Sequence, residues 1–302
     1  MNTTGSPEPE PAADGVVVGQ QALDSLVELL DLEQLEVNLF RGVSPPERNA
    51  RVFGGQVAGQ ALVAAGRTVP DDRLVHSLHA YFIRPGDPSI PIVYEAERVR
   101  DGRSFTTRRV LAIQHGEAIF SLSASFQLAQ RGLEHSERMP DDVPDPESLP
   151  DIGARVAAGG DVGWMSGVPR PLDLRFVEGP LWSGSRSEAS TRPQRVWMRA
   201  DGALPDDHLL HQCMLTYASD LTLLGSVLAR HDLTATSEVQ MASLDHAVWF
   251  HCGFRADEWL LYEVYSPVAS GSRGLSTGRF FRQDGALVAT TVQEGLVRVA
   301  DG

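Results

Sequence analysis

Residues 51–69, RVFGGQVAGQALVAAGRTV, decide the fold. Their middle is Ala, Val and Leu, with Gln as almost the only polar content. That composition predicts a helix buried on most sides, not an amphipathic surface helix. Gly54 and Gly55 stand at its start, where backbone amides are left open. Four segments follow that are rich in β-branched and aromatic residues: LVHSLHAYFI (74–83), IVYEAERV (92–99), SFTTRRVLAIQ (104–114) and AIFSLSASFQ (118–127). The stretches between them, RPGDPS, RDGRS and QHGE, are turn chemistry. One helix followed by four turn-linked strands predicts an antiparallel sheet and excludes a βαβ unit.

The same order recurs. After strand-like PLDLRFVE (171–178) and RVWMRADG (195–202) comes PDDHLLHQCMLTYASDL (205–221), a second helix opened by Pro205, Asp206 and Asp207, residues suited to its positive end. Four strand candidates follow, at 239–251, 259–267, 274–282 and 286–299. Ser77-Leu78-His79-Ala80 echoes Ser243-Leu244-Asp245-His246-Ala247. Each set precedes, at equal spacing, a Gln in its last strand, Gln127 and Gln293. Repeated order and repeated spacing predict an internal duplication. The expected organisation is a disordered tail (1–19), a first unit (20–130), a Pro/Gly/Asp-rich linker (131–170) and a second unit (171–302). A short amphipathic helix (21–32) and a strand near 35–40 precede the first buried helix.

Composition excludes several function classes. The 302 residues carry 26 basic and 40 acidic side chains, a formal charge of −14. General binding to nucleic acid or to anionic membranes needs clustered cations, so neither is expected. Every basic residue is Arg, which removes a lysine Schiff base and a Walker-type phosphate loop. Two cysteines, Cys213 and Cys252, are too few for a disulfide framework or a zinc–cysteine cluster. No apolar run reaches the roughly 20 residues of a membrane helix, and the N-terminus lacks signal-peptide character. A cytoplasmic setting is the resulting expectation.

Familiar motifs fail on context. Gly274-Leu275-Ser276-Thr277-Gly278 matches G-x-S-x-G, but strand and turn follow it, and the last His of the chain, His251, lies upstream. The pairs His76/His79 and His208/His211 lack the glutamate and third ligand of a metal site, so no metal is expected. No G-x-G-x-x-G occurs. Cys213 reads as a small core residue. Arg103, Arg108 and Arg109 cluster on a strand, as a solvated face or a phosphate contact.

Three polar residues stand where this layout places apolar ones: Asp220 late in the second helix, Ser243 within a strand, and Gln293 within the last strand. A carboxylate, a hydroxyl and an amide converging on one water can hydrolyse an activated ester. Each also has an ordinary reading: a helix end, a local back-bond and a sheet ladder.

RVFGGQVAGQAL, VHSLHAYFIRPGD, DGRSFTTRRV, YASDL, SLDHAVWFH, DEWLLY and TTVQEG, taken in order over about residues 22–298, resemble the acyl-CoA thioesterase II family. The resemblance implies an α+β double hot-dog fold, each repeat a long antiparallel sheet around a central helix. It also implies hydrolysis of fatty acyl-CoA thioesters with no cofactor. The family's catalytic Asp falls on Asp220, its Gln on Gln293, and its hydroxyl residue, often Thr, on Ser243.

A helix start would meet the oxyanion, either Gly54–Gln56 (hence Gly55 and Gln56) or Pro205–Asp207. CoA phosphates would need Arg, with Arg84, Arg103 and Arg273 beside glycine turns as candidates. Aligning the helices through Gln60 and Gln212 sets Thr68 opposite Asp220, so one site per chain is expected, in the second half. Exposed sheet edges predict a homo-oligomer, a dimer or tetramer. Two rival readings stay open: a hot-dog hydratase or dehydratase using His246 beside the acid, and a non-catalytic acyl-CoA-binding module.

Overall fold

The structure is a computed structural model that describes residues 15–45, 51–159, 167–179, 192–231, 233 and 239–299. The first half runs α1 (Gly19–Leu30), β1 (Glu33–Glu36), β2 (Leu39–Gly42), α2 (Gly54–Gly66), β3 (Arg73–Phe82), β4 (Ile92–Asp101), β5 (Phe105–Gln114) and β6 (Glu117–Leu128). After the short helix α3 (Ile152–Ala157) the second half runs β7 (Leu172–Phe176), β8 (Gln194–Ala200), α4 (His208–Ser219), α5 (Gly225–Ala229), β9 (Val239–Ser243), β10 (Asp245–Phe250), β11 (Leu260–Ser270), β12 (Arg273–Arg282) and β13 (Leu287–Val299).

Among the described residues the thirteen strands belong to one sheet, in the order β1-β2-β4-β5-β6-β3-β10-β13-β12-β11-β8-β7, with β9 also on β13. The named pairs are antiparallel throughout. The halves join edge to edge at β3–β10, where Ala80 lies opposite His246. These two residues are separated along the chain as Ser77 is from Ser243 and Gln127 from Gln293. Duplicate-related positions therefore meet at Ala80/His246, which marks the local two-fold axis. The antiparallel sheet and its duplication follow the sequence reading.

The central helices supply the core. Every residue of α2 from Gly55 to Ala65 is buried, because the helix packs against α4 on one side and against β4, β5 and β6 on the other. Small residues make the helix pair possible. A Cβ on Gly55 would fall 2.5 Å from the carbonyl oxygen of Tyr217, and one on Gly59 would fall 3.5 Å from that of Cys213. The buried polar side chain Gln60 is paid for by Leu29 O at 2.6 Å and the Tyr94 hydroxyl at 2.7 Å.

Several sequence expectations change in detail. The strand near 35–40 is a hairpin, β1–β2, turned at 37–38. Residues 239–251 are not one strand: the run breaks at Leu244, whose N–H bonds Glu294 O at 2.9 Å. Of the expected tail of 1–19, residues 1–14 lie outside the described residues, and Gly19 opens α1 with its N–H on Asp201 at 2.7 Å. The linker is docked over much of its length. Trp197 Nε1 donates to Pro144 O at 2.9 Å and Trp259 Nε1 to Glu147 at 3.0 Å, over a small outer cluster of Trp197, Trp259, Leu261 and Phe281. Gly274–Gly278 lies within β12, and fully buried Ser276 meets Ser226 Oγ at 3.0 Å, so it is no nucleophile elbow.

Candidate active site

Three segments deliver one carboxylate cluster. α4 ends at Ser219, and Asp220 is its C-cap residue, with φ −81° and ψ −10°. The helix thus ends by projecting a carboxylate inward instead of into solvent. Gln293, fully buried on β13, donates from Nε2 to Asp220 Oδ1 at 2.6 Å. Ser243, the last residue of β9, donates from Oγ to the same oxygen at 3.4 Å. The break at Leu244 turns β9 away from β10 beside Gln293, which leaves Ser243 free to face the acid.

The fourth wall comes from the first half. α2 begins at Gly54 after Phe53 and has no side-chain cap. Its first i→i−4 bond is Val57 N–H to Phe53 O, 3.3 Å, so the amides of Gly54, Gly55 and Gln56 precede the helical ladder. The Gly55 N–H bonds the Asp220 carboxylate. A Cβ on Gly54 would sit 2.6 Å from Asp220 Oδ2 and 2.8 Å from the Phe82 ring. Glycine at 54 and 55 is therefore required by close approach, not by dihedral freedom.

Burial pushes the Asp220 carboxyl up to about 6, against the bonds from Gln293, Gly55 and Ser243 that hold it down. A carboxylate poised there is a usable base near neutral pH. Gln293 Oε1 is buried with no partner among the described residues. It is an acceptor waiting for an O–H or N–H donor.

The cluster brings together Asp220, Ser243, Gln293 and Gly55. Other expected site residues are placed differently. His246 is a correction: it is not at the open side of the acid but buried behind it, Nε2 on Ser219 Oγ at 2.8 Å, and burial holds its pKa down to about 4. The Gln56 side chain turns away, to Val43 O at 3.1 Å and Ser44 Oγ at 3.0 Å, so only its backbone faces the site side. The Pro205–Asp207 turn is at the opposite end of α4, about 18 Å along a twelve-residue helix.

Two of the three arginine candidates, Arg84 and Arg273, are paired. Arg84 lies two residues beyond Phe82, half exposed, donating to Ala118 O at 2.7 Å with Glu117 3.4 Å away. Arg273 is a correction: it bonds Glu294 at 3.0 Å on the outward positions of β12 and β13, the opposite sheet face from buried Gln293. Arg108 is no phosphate contact either. It is 1% exposed and spends its guanidinium on Asp101 at 2.7 Å and on Thr68 Oγ1 at 2.8 Å. Arg109 pairs with Glu97 at 2.6 Å. Thr68, opposite Asp220 in the duplication, is thus a hydroxyl tied to a buried guanidinium. Among the described residues no group of three or more His, Cys, Asp and Glu could hold a metal ion.

Phe82 against Gly54 was not foreseen. Neither was the support behind the acid, where the Tyr262 hydroxyl bonds Thr291 at 2.8 Å and Ser219 O at 3.2 Å. Tyr262 is apolar enough to read as core, and no local spacing marks it.

Comparison of the chain's sequence and fold with known proteins gives its family. A profile described as acyl-CoA thioesterase matches residues 182–296, and one described as acyl-CoA thioesterase N-terminal domain matches 44–127. Human acyl-coenzyme A thioesterase 8 is 43% identical, covering 90% of this chain and 88% of its own. Acyl-CoA thioesterase 2 of Haemophilus influenzae is 38% identical, over 92% and 99%. The chain belongs to the acyl-CoA thioesterase II family. The solved acyl-CoA thioesterase II TesB2 of Mycobacterium marinum, 48% identical, superposes with a TM-score of 0.76 over 92% of this chain and 98% of its own. The double hot-dog architecture and thioester hydrolase activity of this thioesterase follow from family membership.

Proposed function

We propose that this thioesterase hydrolyses fatty acyl-CoA with a water activated by Asp220 and oriented by Ser243 and Gln293. The observation that carries the reading is the convergence of Gln293, Ser243 and the Gly55 amide on one buried carboxylate. The water donates one proton toward Asp220 and the other toward the unpartnered Gln293 Oε1. Its oxygen attacks the thioester carbonyl carbon, and Asp220 takes the proton. The carbonyl oxygen, now anionic, is met by first-turn amides of α2, at the positive end of that helix. Collapse expels the CoA thiolate, which recovers the proton, and leaves the fatty acid. A thioester is activated enough for a positioned base to suffice without a covalent intermediate.

Ser243 is oriented toward the acid, and no imidazole activates it as a nucleophile. His246 is neutral at working pH and spends Nε2 on Ser219, which disfavours the hydratase reading. The fatty character of the acyl group rests on the apolar packing around the site, including Phe82 and Phe120, whose rings lie 5.1 Å apart. We also propose association between copies, supported by exposed Tyr81 and Ile83 near the seam and by edge strand β1, whose four residues are all exposed. Two free thiols, Cys213 and Cys252, suit a reducing cytoplasmic setting.

The test is thiol release from acyl-CoAs of graded chain length across pH. Below pH about 6, kcat/KM rises about tenfold per pH unit, then levels as Asp220 is fully ionised. A flat profile from pH 4 to 8 would rule out Asp220 as the base. Gln293→Leu removes the shortest bond that holds this pKa down, so the break in the profile moves above 6 while the plateau falls about 10²-fold. An unchanged break would deny Gln293 its place on the carboxylate. Ser243→Ala, with its longer bond, moves the break less.

A further inference from the structure

We propose that the cleft at the start of α4 is a second, non-hydrolytic site that takes the amide-bearing pantetheine arm of an acyl thioester. The ligand class rests on the acyl-CoA reading above; the site itself rests on the duplication. The cleft has a volume of about 270 Å³ and is lined by Val75, His76, Gln127, His208, Gln212 and Cys252, with Phe250 and Phe254 on its apolar side. That volume is near the lower end for small-molecule pockets.

The local two-fold at Ala80/His246 makes this cleft the counterpart of the space before Asp220. Gln127 answers to Gln293, and Gln212 to Gln60. α4 packs on β3, where Gln212 meets Val75, while the start of α2 meets Asp220. The two parts that hydrolysis needs are missing. Thr68 replaces the carboxylate, and its hydroxyl is held between Ala65 O at 2.8 Å and Arg108 at 2.8 Å. The first-turn amides of α4 are occupied by Asp207, which accepts from Leu209 N at 2.9 Å and Leu210 N at 3.2 Å. The open α2 start has no such cap.

What remains is a binding surface with an unmade bond. Gln212 is 8% exposed; its Nε2 donates to Val75 O at 2.8 Å, and its Oε1 has no partner among the described residues. A buried amide oxygen with no donor is costly, and a ligand N–H on the cleft side would complete it. Among the described residues no Arg lines the cleft, so a phosphate is not what it recognises. Aromatic and aliphatic walls, a central acceptor and imidazoles at the rim match a slender, uncharged chain of methylenes broken by secondary amides. Those are the features of pantetheine.

Cys252 supplies the test, because it is exposed on the cleft wall while Cys213 is fully buried. The probes are S-octyl-CoA and S-octyl-pantetheine, thioethers with no free thiol and no hydrolysable bond. On the intact wild-type protein, iodoacetamide labelling of Cys252 is followed by mass spectrometry. Saturating probe is expected to slow labelling at least tenfold, and the nucleotide-free probe does so as well. Calorimetry with S-octyl-CoA gives two equivalents per chain, falling to one after Cys252 is alkylated, with kcat for thioester hydrolysis unchanged. Gln212→Leu loses the Cys252 protection and keeps kcat; alkylated wild-type protein carries the same test should that variant not fold. Unchanged labelling at saturating probe, or the same stoichiometry before and after alkylation, overturns the proposal. Absent thioester hydrolysis would overturn the catalytic reading instead, and Cys252 protection would then be judged by itself.

Discussion

Asp220→Asn lowers kcat for thioester hydrolysis by about 10²–10⁴-fold, the contribution of a positioned general base, with KM nearly unchanged. The substitution is isosteric. The asparagine carbonyl still accepts from Gln293 and the Gly55 amide, so the surrounding geometry is kept and the proton acceptor alone is lost. A thiol-release assay reads the effect directly. Activity within a few-fold of wild type would remove Asp220 from the mechanism.

The same variant is expected to be the more stable protein at neutral pH. Burial raises the Asp220 carboxyl from 3.8 in the unfolded chain to about 6 in the folded one. The folded state therefore binds this proton more tightly. Its stabilising effect is complete below pH about 4 and is lost as pH climbs through 6, when the buried group must ionise. At pH 7 that difference corresponds to about 3 kcal/mol. Asparagine carries no such cost. Thermal denaturation is expected to show Asp220→Asn melting above wild type at pH 7, with the gap closing by pH 4. An inactive variant that also melts lower at pH 7 would mark Asp220 as structural. Loss of activity with gain of stability separates a reactive carboxylate from a structural one.

Much of this arrangement was legible in the sequence because it depends on local chemistry and on repetition. The Ala-rich run from Val57 to Ala65 could be nothing but a wrapped helix, and it is buried all round. Turn residues divided the strands, and the matched spacing of Ser77/Gln127 and Ser243/Gln293 foretold a duplication whose axis the β3–β10 register then located. The candidate triad stood out as polar residues at core positions. Other features depend on contacts between distant segments, which periodicity does not encode. Nothing local says that α2 points its uncapped start at Asp220, a separation of well over a hundred residues. Arg108 reads as a surface cation on an alternating strand. It is buried because Thr68 and Asp101 happen to face it. His246 looked available beside Ser243, yet the break at Leu244 puts the two on separate strands, and His246 meets Ser219, one residue before the acid, instead of the acid itself. The partners of Arg84 and Arg273 were equally hidden: Glu117 and Glu294 are remote from them in sequence.

Gly55→Ala is expected to cost both activity and stability, and it tests the union of the two halves at its narrowest point. The new Cβ would lie 2.5 Å from the Phe53 ring and 2.5 Å from the backbone oxygen of Tyr217. The ring can rotate, but the carbonyl belongs to α4 and can retreat only if the helices part. Overpacking of this kind costs about 1–3 kcal/mol, read as a lower melting temperature. Parting the helices also draws the Gly55 amide from the Asp220 carboxylate and displaces the α2 amides from the carbonyl they would polarise. A shift near 1 Å in such a site lowers kcat about 10²-fold. Gly66→Ala is the control: the three atoms nearest its Cβ all belong to the flexible Leu209 side chain, far along α2 from the acid, so its kcat stays near wild type even where its stability falls. Equal losses of kcat in the two variants would mean that general loosening of the helix pair, not the local seat of Asp220, sets the rate.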